Sequence, residues 1–328
     1  MSKRPGLKEV AQLAGVSATT VSHVINHTRY VEPETEQRVR NAIKELNYVN
    51  NSWARMLRSE RSEIIGILIT DLTNPFTITI TNCAMERVRE KGYQLYIVPI
   101  SNTDYEANDR AIQTLISYRA EGVLSVPIDN EVLHRIMKQL SDIPVCCIEG
   151  DPEMTDTVDT DHEEAAYKTT RILAEAHSRI GFIKGAPQFI TSEARYKGYL
   201  KALQDSGIPF REEYVAEGDS SVPGGYQAMR RLLGTEITAV FVGNNMMLQG
   251  AVKAINDVNS DLFSKLAIVG FDDQDWYALY RPTITAIRQP LPEIVDKAVD
   301  LLFARIQEPD RPLQKEIIPA ELIRRESF

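Results

Sequence analysis

The sequence predicts an α/β protein with a small all-helical head. Short apolar runs, IIGILIT, QLYIVPI, GVLSVP and PVCCIE, alternate with helical stretches such as residues 82–91 and 106–119. After Asp161 the alternation restarts with RIGFIKG, TAVFVG and LAIVGFDD. Runs that stay apolar on both faces belong to buried strands, so this βαβα order implies parallel sheets covered by helices. Two such halves in one chain leave a cleft between them, and ligands of such sheets sit at the carboxyl ends of the strands. Residues 1–48 follow a different pattern, that of three short amphipathic helices.

A chain of 328 residues is too long for one ordinary core. Its 43% hydrophobic and 25% charged residues are those of a soluble globular protein, and no apolar run approaches a membrane span, so no membrane partner is expected. The basic start lacks an apolar h-region, so no secretory signal is expected. Cys83, Cys146 and Cys147 are an odd number without metal spacing, and the adjacent pair in PVCCI reads as buried strand. A reducing cytoplasm fits. The net charge of −9 hides an asymmetry: residues 1–61 hold ten Lys/Arg against six Asp/Glu, so +4 stands against −13 in the remainder. A basic head on an acidic body can hold DNA phosphates locally and repel DNA elsewhere.

Within the head, Leu7, Val10, Ala11 and Ala14 form the stripe of a first helix, and Gly15 follows as a tight turn. Ser17 stands where an N-cap belongs. A second helix then buries Val21, Val24 and Ile25, leaving Ala18, Thr19, Ser22, His23 and Asn26 outward. Two short helices about a Gly-containing turn describe a helix-turn-helix. Thr19 and His23, four apart, lie on one face and can address neighbouring base pairs in a major groove. The third helix spans about 33–46, with Pro33 at its first position, Glu32 in the capping place and Val39, Ala42, Ile43 and Leu46 inside. Residues 49–61, VNNSWARMLRSER, are neither a Gly/Ser linker nor an independently stable helix.

The strand ends carry the second group of candidates. Asn74-Pro75-Phe76 follows the first strand, Glu149 follows PVCCI, Arg195 opens a helix after GAPQFITSEA, Asn244 follows TAVFVG and Asp272 follows IVGF. Together they supply a fixed cation, two carboxylates, an amide and an aromatic face. Paired donors and acceptors around an apolar wall suit a polyol, whose hydroxyls must each be satisfied when buried.

The run AGVSATTVSHVIN, followed by TRYV, resembles the DNA-reading motif of the lactose-repressor family of bacterial transcription regulators, and is closest to its purine- and ribose-repressor subgroup. The likeness extends over essentially the whole chain. It implies three parts: a helix-turn-helix domain over 1–48, a hinge helix over 49–61, and a two-lobed core over 62–328 with the fold of periplasmic sugar-binding proteins. The first lobe would comprise about 62–160 and 290–319, and the second about 161–289 and 320–328. It implies that paired hinges enter the minor groove, with Ala54, Leu57 and Arg58 in the matching places and Leu57 wedged into a pyrimidine–purine step. Asn50, Trp53 and Glu32 depart from the family's usual residues.

In the cleft, Arg195 and Asp272 match the family's main effector-binding pair. Thr191, Phe189 and Ser220 stand where the purine repressor has threonine, arginine and phenylalanine; Phe76 and Thr77 replace its aromatic pair, and Asn245 replaces a common aspartate. These departures argue for a sugar or a sugar derivative such as a sugar phosphate over a nucleobase, the alternative effector.

Enzyme classes find no support: there is no G-x-G-x-x-G after a strand, no G-x-x-x-x-G-K and no G-x-S-x-G, and His162-Glu163 lacks a zinc helix's second histidine. No cofactor and no metal are expected. A solute-binding protein without a DNA role would need a secretion signal in place of the head.

The expected protein is therefore a cytoplasmic, nucleoid-associated repressor, a homodimer on double-stranded operator DNA, switched by a small effector bound between the lobes. A chain ending at LIRRESF lacks the family's tetramerising heptad tail, which favours the dimer. Thr19, His23 and Arg29 would read bases, and Thr20, Ser22 and Asn26 would touch phosphates. Phe76, Glu149, Phe189, Thr191, Arg195, Ser220, Asn244 and Asp272 would hold the effector.

Overall fold

A computed structural model describes residues 5–26, 28–48 and 61–328, with Asn26 placed by its backbone alone. The chain divides into two compact units, residues 1–62 and 63–328.

Among the described residues the first unit holds three helices: α1 (Leu7–Ala14), α2 (Ala18–Asn26) and α3 (Pro33–Glu45). Gly15 ends α1 in the left-handed region at φ 66°, where a side chain would clash with the backbone. Ser17 Oγ then accepts the Thr20 N–H at 3.0 Å and opens α2. Glu32 gives α3 no side-chain cap, and Pro33 at the first position removes one donor that would need one. Val10, Ala14, Val21, Val24, Val39 and Ala42 make a small buried core.

The second unit contains two six-stranded sheets. The first is ordered β11-β5-β4-β3-β1-β2, from β1 (Ile64–Ile69), β2 (Gln94–Pro99), β3 (Gly122–Ser125), β4 (Val145–Ile148), β5 (Asp156–Asp159) and β11 (Lys315–Ile317). The second is ordered β12-β10-β9-β8-β6-β7, from β6 (Ile180–Lys184), β7 (Val215–Glu217), β8 (Ala239–Val242), β9 (Ala267–Phe271), β10 (Thr285–Arg288) and β12 (Glu321–Ile323). Every pairing is parallel except β12 on β10. The chain therefore passes between the sheets after β5, β10 and β11. The helix Leu291–Gln307 packs Ile294, Val295, Ala298, Val299 and Leu302 on the first sheet.

Five strands, β5, β7, β10, β11 and β12, lack an apolar run in the sequence. In β5, Asp156 is fully buried. Its carboxylate is matched by Arg305 Nε and Nη2, both at 2.9 Å, and by the Gln314 N–H at 2.8 Å. An acidic residue can occupy a buried strand there because its partners arrive from about 150 residues further on.

Helices Val222–Leu232 and Asn245–Asn259 meet at a glycine. A Cβ on Gly250 would lie 2.0 Å from Val222 O and 2.6 Å from Tyr226 N, both backbone atoms. Alanine gains at most about 1 kcal/mol of helix propensity, whereas forcing the backbones apart costs about 1–3 kcal/mol. Gly250→Ala should therefore lower the urea midpoint; an unchanged midpoint would show that the helices part freely.

Candidate functional site

The carboxyl ends of strands from both sheets line one cavity of about 400 Å³. Phe76, Glu149, Phe189, Thr191, Arg195, Ser220, Asn244 and Asp272 all lie on its wall. One local expectation needs correcting: Arg195 does not open its helix. That helix begins at Ile190, because the TSEA stretch is itself helical, and Arg195 lies in its second turn. Asn244 is partly occupied: its side chain caps the helix Asn245–Asn259 by accepting from Met247 N at 2.8 Å and donates to Ser220 O at 3.3 Å.

The backbone at the strand ends is unusual. Glu149, Asp219, Ser220 and Asp272 have φ of 56°, 52°, 52° and 65°, a region that residues with a Cβ rarely enter. All four line the cavity. Such conformations cost on the order of 1 kcal/mol each and cluster at ligand clamps.

Arg195, Glu149 and Asp272 are 5%, 8% and 7% exposed. The guanidinium stacks 3.6 Å from the Phe271 ring centre and donates through Nη1 to Gly243 O at 2.6 Å. Its Nη1 stands 3.8 Å from Asp272 and its Nη2 3.9 Å from Glu149. Gln289 Nε2 donates to Glu149 at 2.8 Å and to Asp272 at 2.7 Å, joining carboxylates that follow strands of different sheets. Burial pushes the Asp272 carboxyl up and the neighbouring Glu149 adds to this, beyond what Arg195 and Gln289 offset. Burial also acts to raise Glu149, but His162, Arg195 and Gln289 together hold it below its ordinary value.

His162 completes this network. Its Nδ1 lies 3.3 Å from Arg195 Nε and Nη2, and its Nε2 lies 2.9 Å from Asp159 and 3.3 Å from Glu149. Burial and Arg195 disfavour a charged ring, while Glu149 and Asp159 favour it and prevail, raising its pKa. The guanidinium N–H aimed at Nδ1 is the arrangement of the unprotonated ring, with the hydrogen on Nε2. Glu149, Asp159 and His162 bring their ligand atoms within 4.8 Å of one another. With its hydrogen on Nε2, the ring accepts from Arg195 and donates to Asp159, linking the cation to the carboxylates.

His162 and Gln289 were missed as site residues by sequence reasoning. Both lie where the chain passes between the sheets, immediately after β5 and β10, and no local motif marks such a position.

On α2, Thr19 is exposed and Thr20 is drawn back to Ser17, its Oγ1 at 2.9 Å from Ser17 Oγ. His23 Nδ1 pairs with Thr28 Oγ1 at 2.8 Å, which fixes the ring and leaves Nε2 as its other polar atom. Ser22 is half-buried and Arg29 exposed. The side chain of Asn26, and all of Ala54, Leu57 and Arg58, lie outside the described residues.

A helix-turn-helix unit in one chain with a two-lobed polar cleft defines a class, the ligand-responsive DNA-binding regulators. Residues 6–51 match the family model described as bacterial regulatory proteins, lacI family, and residues 169–328 match a periplasmic binding protein-like domain. The chain is 32% identical to the HTH-type transcriptional repressor PurR of Mannheimia succiniciproducens over 98% of both chains. It is also 32% identical to PurR of Pasteurella multocida over 92% of both. Among solved structures it resembles the lac repressor dimer bound to operator and the anti-inducer ONPF, at 25% identity and TM-score 0.86 over 99% of each chain. The transcriptional regulator CelR in complex with cellobiose matches at 27% identity and TM-score 0.75, over 99% of this chain and 100% of that one. The chain belongs to the lacI family of bacterial regulatory proteins. It is a DNA-binding transcription regulator under small-molecule control, and its relatives are repressors, not enzymes.

Proposed function

We propose that the protein is a cytoplasmic, nucleoid-associated repressor that binds a near-palindromic operator as a homodimer and is switched by a sugar or sugar derivative in the cleft. Its parts are a DNA-binding domain over 1–48, a hinge over 49–61 and an effector-binding core over 62–328. The lobes are 62–160 with 290–319, and 161–289 with 320–328. The observation that carries the effector reading is the convergence of Arg195, Asp272 and Glu149, all buried, on a cavity walled by Phe76 and Phe189. The guanidinium fork donates to neighbouring hydroxyls, the carboxylates accept from them, and the aromatic faces cover the ring's apolar side. The cellobiose-bound neighbour is consistent with this. A nucleobase effector is the second reading, favoured by the PurR relatives.

Exposed Ile78 and Met85 on the helix Pro75–Glu90, with Ile97 on edge strand β2, give the first lobe an apolar face suited to a second copy. Effector binding would favour one angle between the lobes, and the coupling is the difference in effector affinity between DNA-competent and incompetent states. Thermal-shift screening of sugars and nucleobases tests the cleft, since a ligand of the folded state raises its apparent stability. A nucleobase as sole hit would replace the sugar reading.

In the head, Thr19, His23 and Arg29 read bases, and Thr20, Ser22 and Asn26 contact phosphates. Ala54, Leu57 and Arg58 engage the minor groove. His23→Ala should lose about 1–3 kcal/mol of discrimination at one base pair and leave non-specific binding almost unchanged. Gel-shift titrations on operator and random DNA measure this, and equal weakening on both would remove His23 as a base reader.

A further inference from the structure

We infer that the cleft selects by charge: it takes a neutral or amine-bearing polyol and refuses the phosphate ester or uronic acid of the same sugar. This rests on the polyol reading above and narrows its ligand class. Among the described residues four carboxylates line the cavity, Asp71, Glu149, Asp219 and Asp272, against one guanidinium, Arg195, which leaves a net charge of minus three. A proton on Asp272, whose pKa burial raises, would still leave the balance negative.

Helix ends act in the opposite direction but are too weak to reverse the sign. The helices Pro75–Glu90, Ile190–Asp205 and Asn245–Asn259 start at the cavity, since their capping residues Asn74, Phe189 and Asn244 line it. Each N-terminus carries roughly half a positive charge, so three offset only about half of minus three. Two are also capped internally: Asn74 accepts from Phe76 N and Asn244 from Met247 N.

The hydrogen-bonding inventory agrees with the charge. Arg195 already directs Nε and Nη2 at His162 and Nη1 at Gly243, so about two of its five N–H groups remain, enough for a pair of hydroxyls but short of a phosphate's three oxygens. Acceptors, in contrast, are in surplus. Asp272 Oδ2 stands 3.8 Å from Arg195 Nη1, beyond hydrogen-bond reach. Asn245 lines the cavity at 4% exposure, and its buried Oδ1 has no partner among the described residues while its Nδ2 donates to Asn74. Buried acceptors need donors from the ligand, which hydroxyl and ammonium groups bring and phosphate dianions and carboxylates do not.

The test uses the full chain and matched probes, titrated by calorimetry after a thermal-shift screen: ribose and ribose 5-phosphate, glucose, glucose 6-phosphate and glucosamine, galactose and galacturonate, with hypoxanthine and guanine alongside. The acid form should bind at least about tenfold more weakly than the neutral parent. The double variant Asp71→Asn/Asp219→Asn should narrow that ratio. An acid form that binds as tightly as its parent would overturn the charge rule and leave the polyol cleft standing. A ratio unchanged in the double variant would overturn its electrostatic origin. Binding by hypoxanthine or guanine alone would overturn the polyol reading, and the proposal with it.

Discussion

Arg195→Met should destabilise the core by about 3–5 kcal/mol, because it strands buried carboxylates that this guanidinium helps to compensate. Arg195 is 5% exposed and within 4 Å of both Glu149 and Asp272. Methionine keeps much of the packing on Phe271, so the loss would report the charge rather than a void. The deficit should also depend on pH. Asp272 already has a raised pKa, so the stability tied to its protonated form is present at low pH and lost as pH rises through its folded pKa. Removing the cation raises that pKa further, so the variant should lie closest to wild type in the acidic range and furthest from it at neutral pH. Urea unfolding at pH 5 and pH 7 would measure both effects. Wild-type stability at pH 7 would mean that the network does not need its cation. The same variant should no longer respond to effector.

Much of the cleft was legible because strand ends can be read from strands, and strands buried on both faces are apolar throughout. β1, β4, β8 and β9 are such strands, and the residues just after them are Glu149, Asn244 and Asp272 or lie near Phe76. The strands that escaped notice are short or owe their burial to distant partners, as Asp156 owes its place to Arg305. Gln289 is legible only once β10 is recognised as a strand and the next helix as part of the other lobe. The left-handed backbone at Glu149, Asp219, Ser220 and Asp272 carries no glycine to announce it. Here the site overrides local preference, as strained functional positions do. The head was read most fully because its turn, cap and inner stripes are all local signals, whereas Thr28, which steadies His23, required a contact five residues away.

Val21→Asp should separate the two units functionally. Val21 is fully buried on the inner face of α2, packed among Val10, Val24, Val39 and their neighbours. A core of this size supplies only about 3–5 kcal/mol of stability, and burying an unpaired carboxylate costs at least several kcal/mol. The head should therefore unfold, and operator affinity should fall to the non-specific level, a loss on the order of a thousandfold or more. Residues 63–328 form their own compact unit with separate cores in each lobe, so the core should keep its urea transition and its affinity for whichever sugar the screen identifies. Operator binding, unfolding and calorimetry on the same full-length variant test all three. Retained operator affinity would rule out α2 as the reading helix. Loss of ligand binding together with DNA binding would show instead that the head supports the core, and the division of labour between the units would fail.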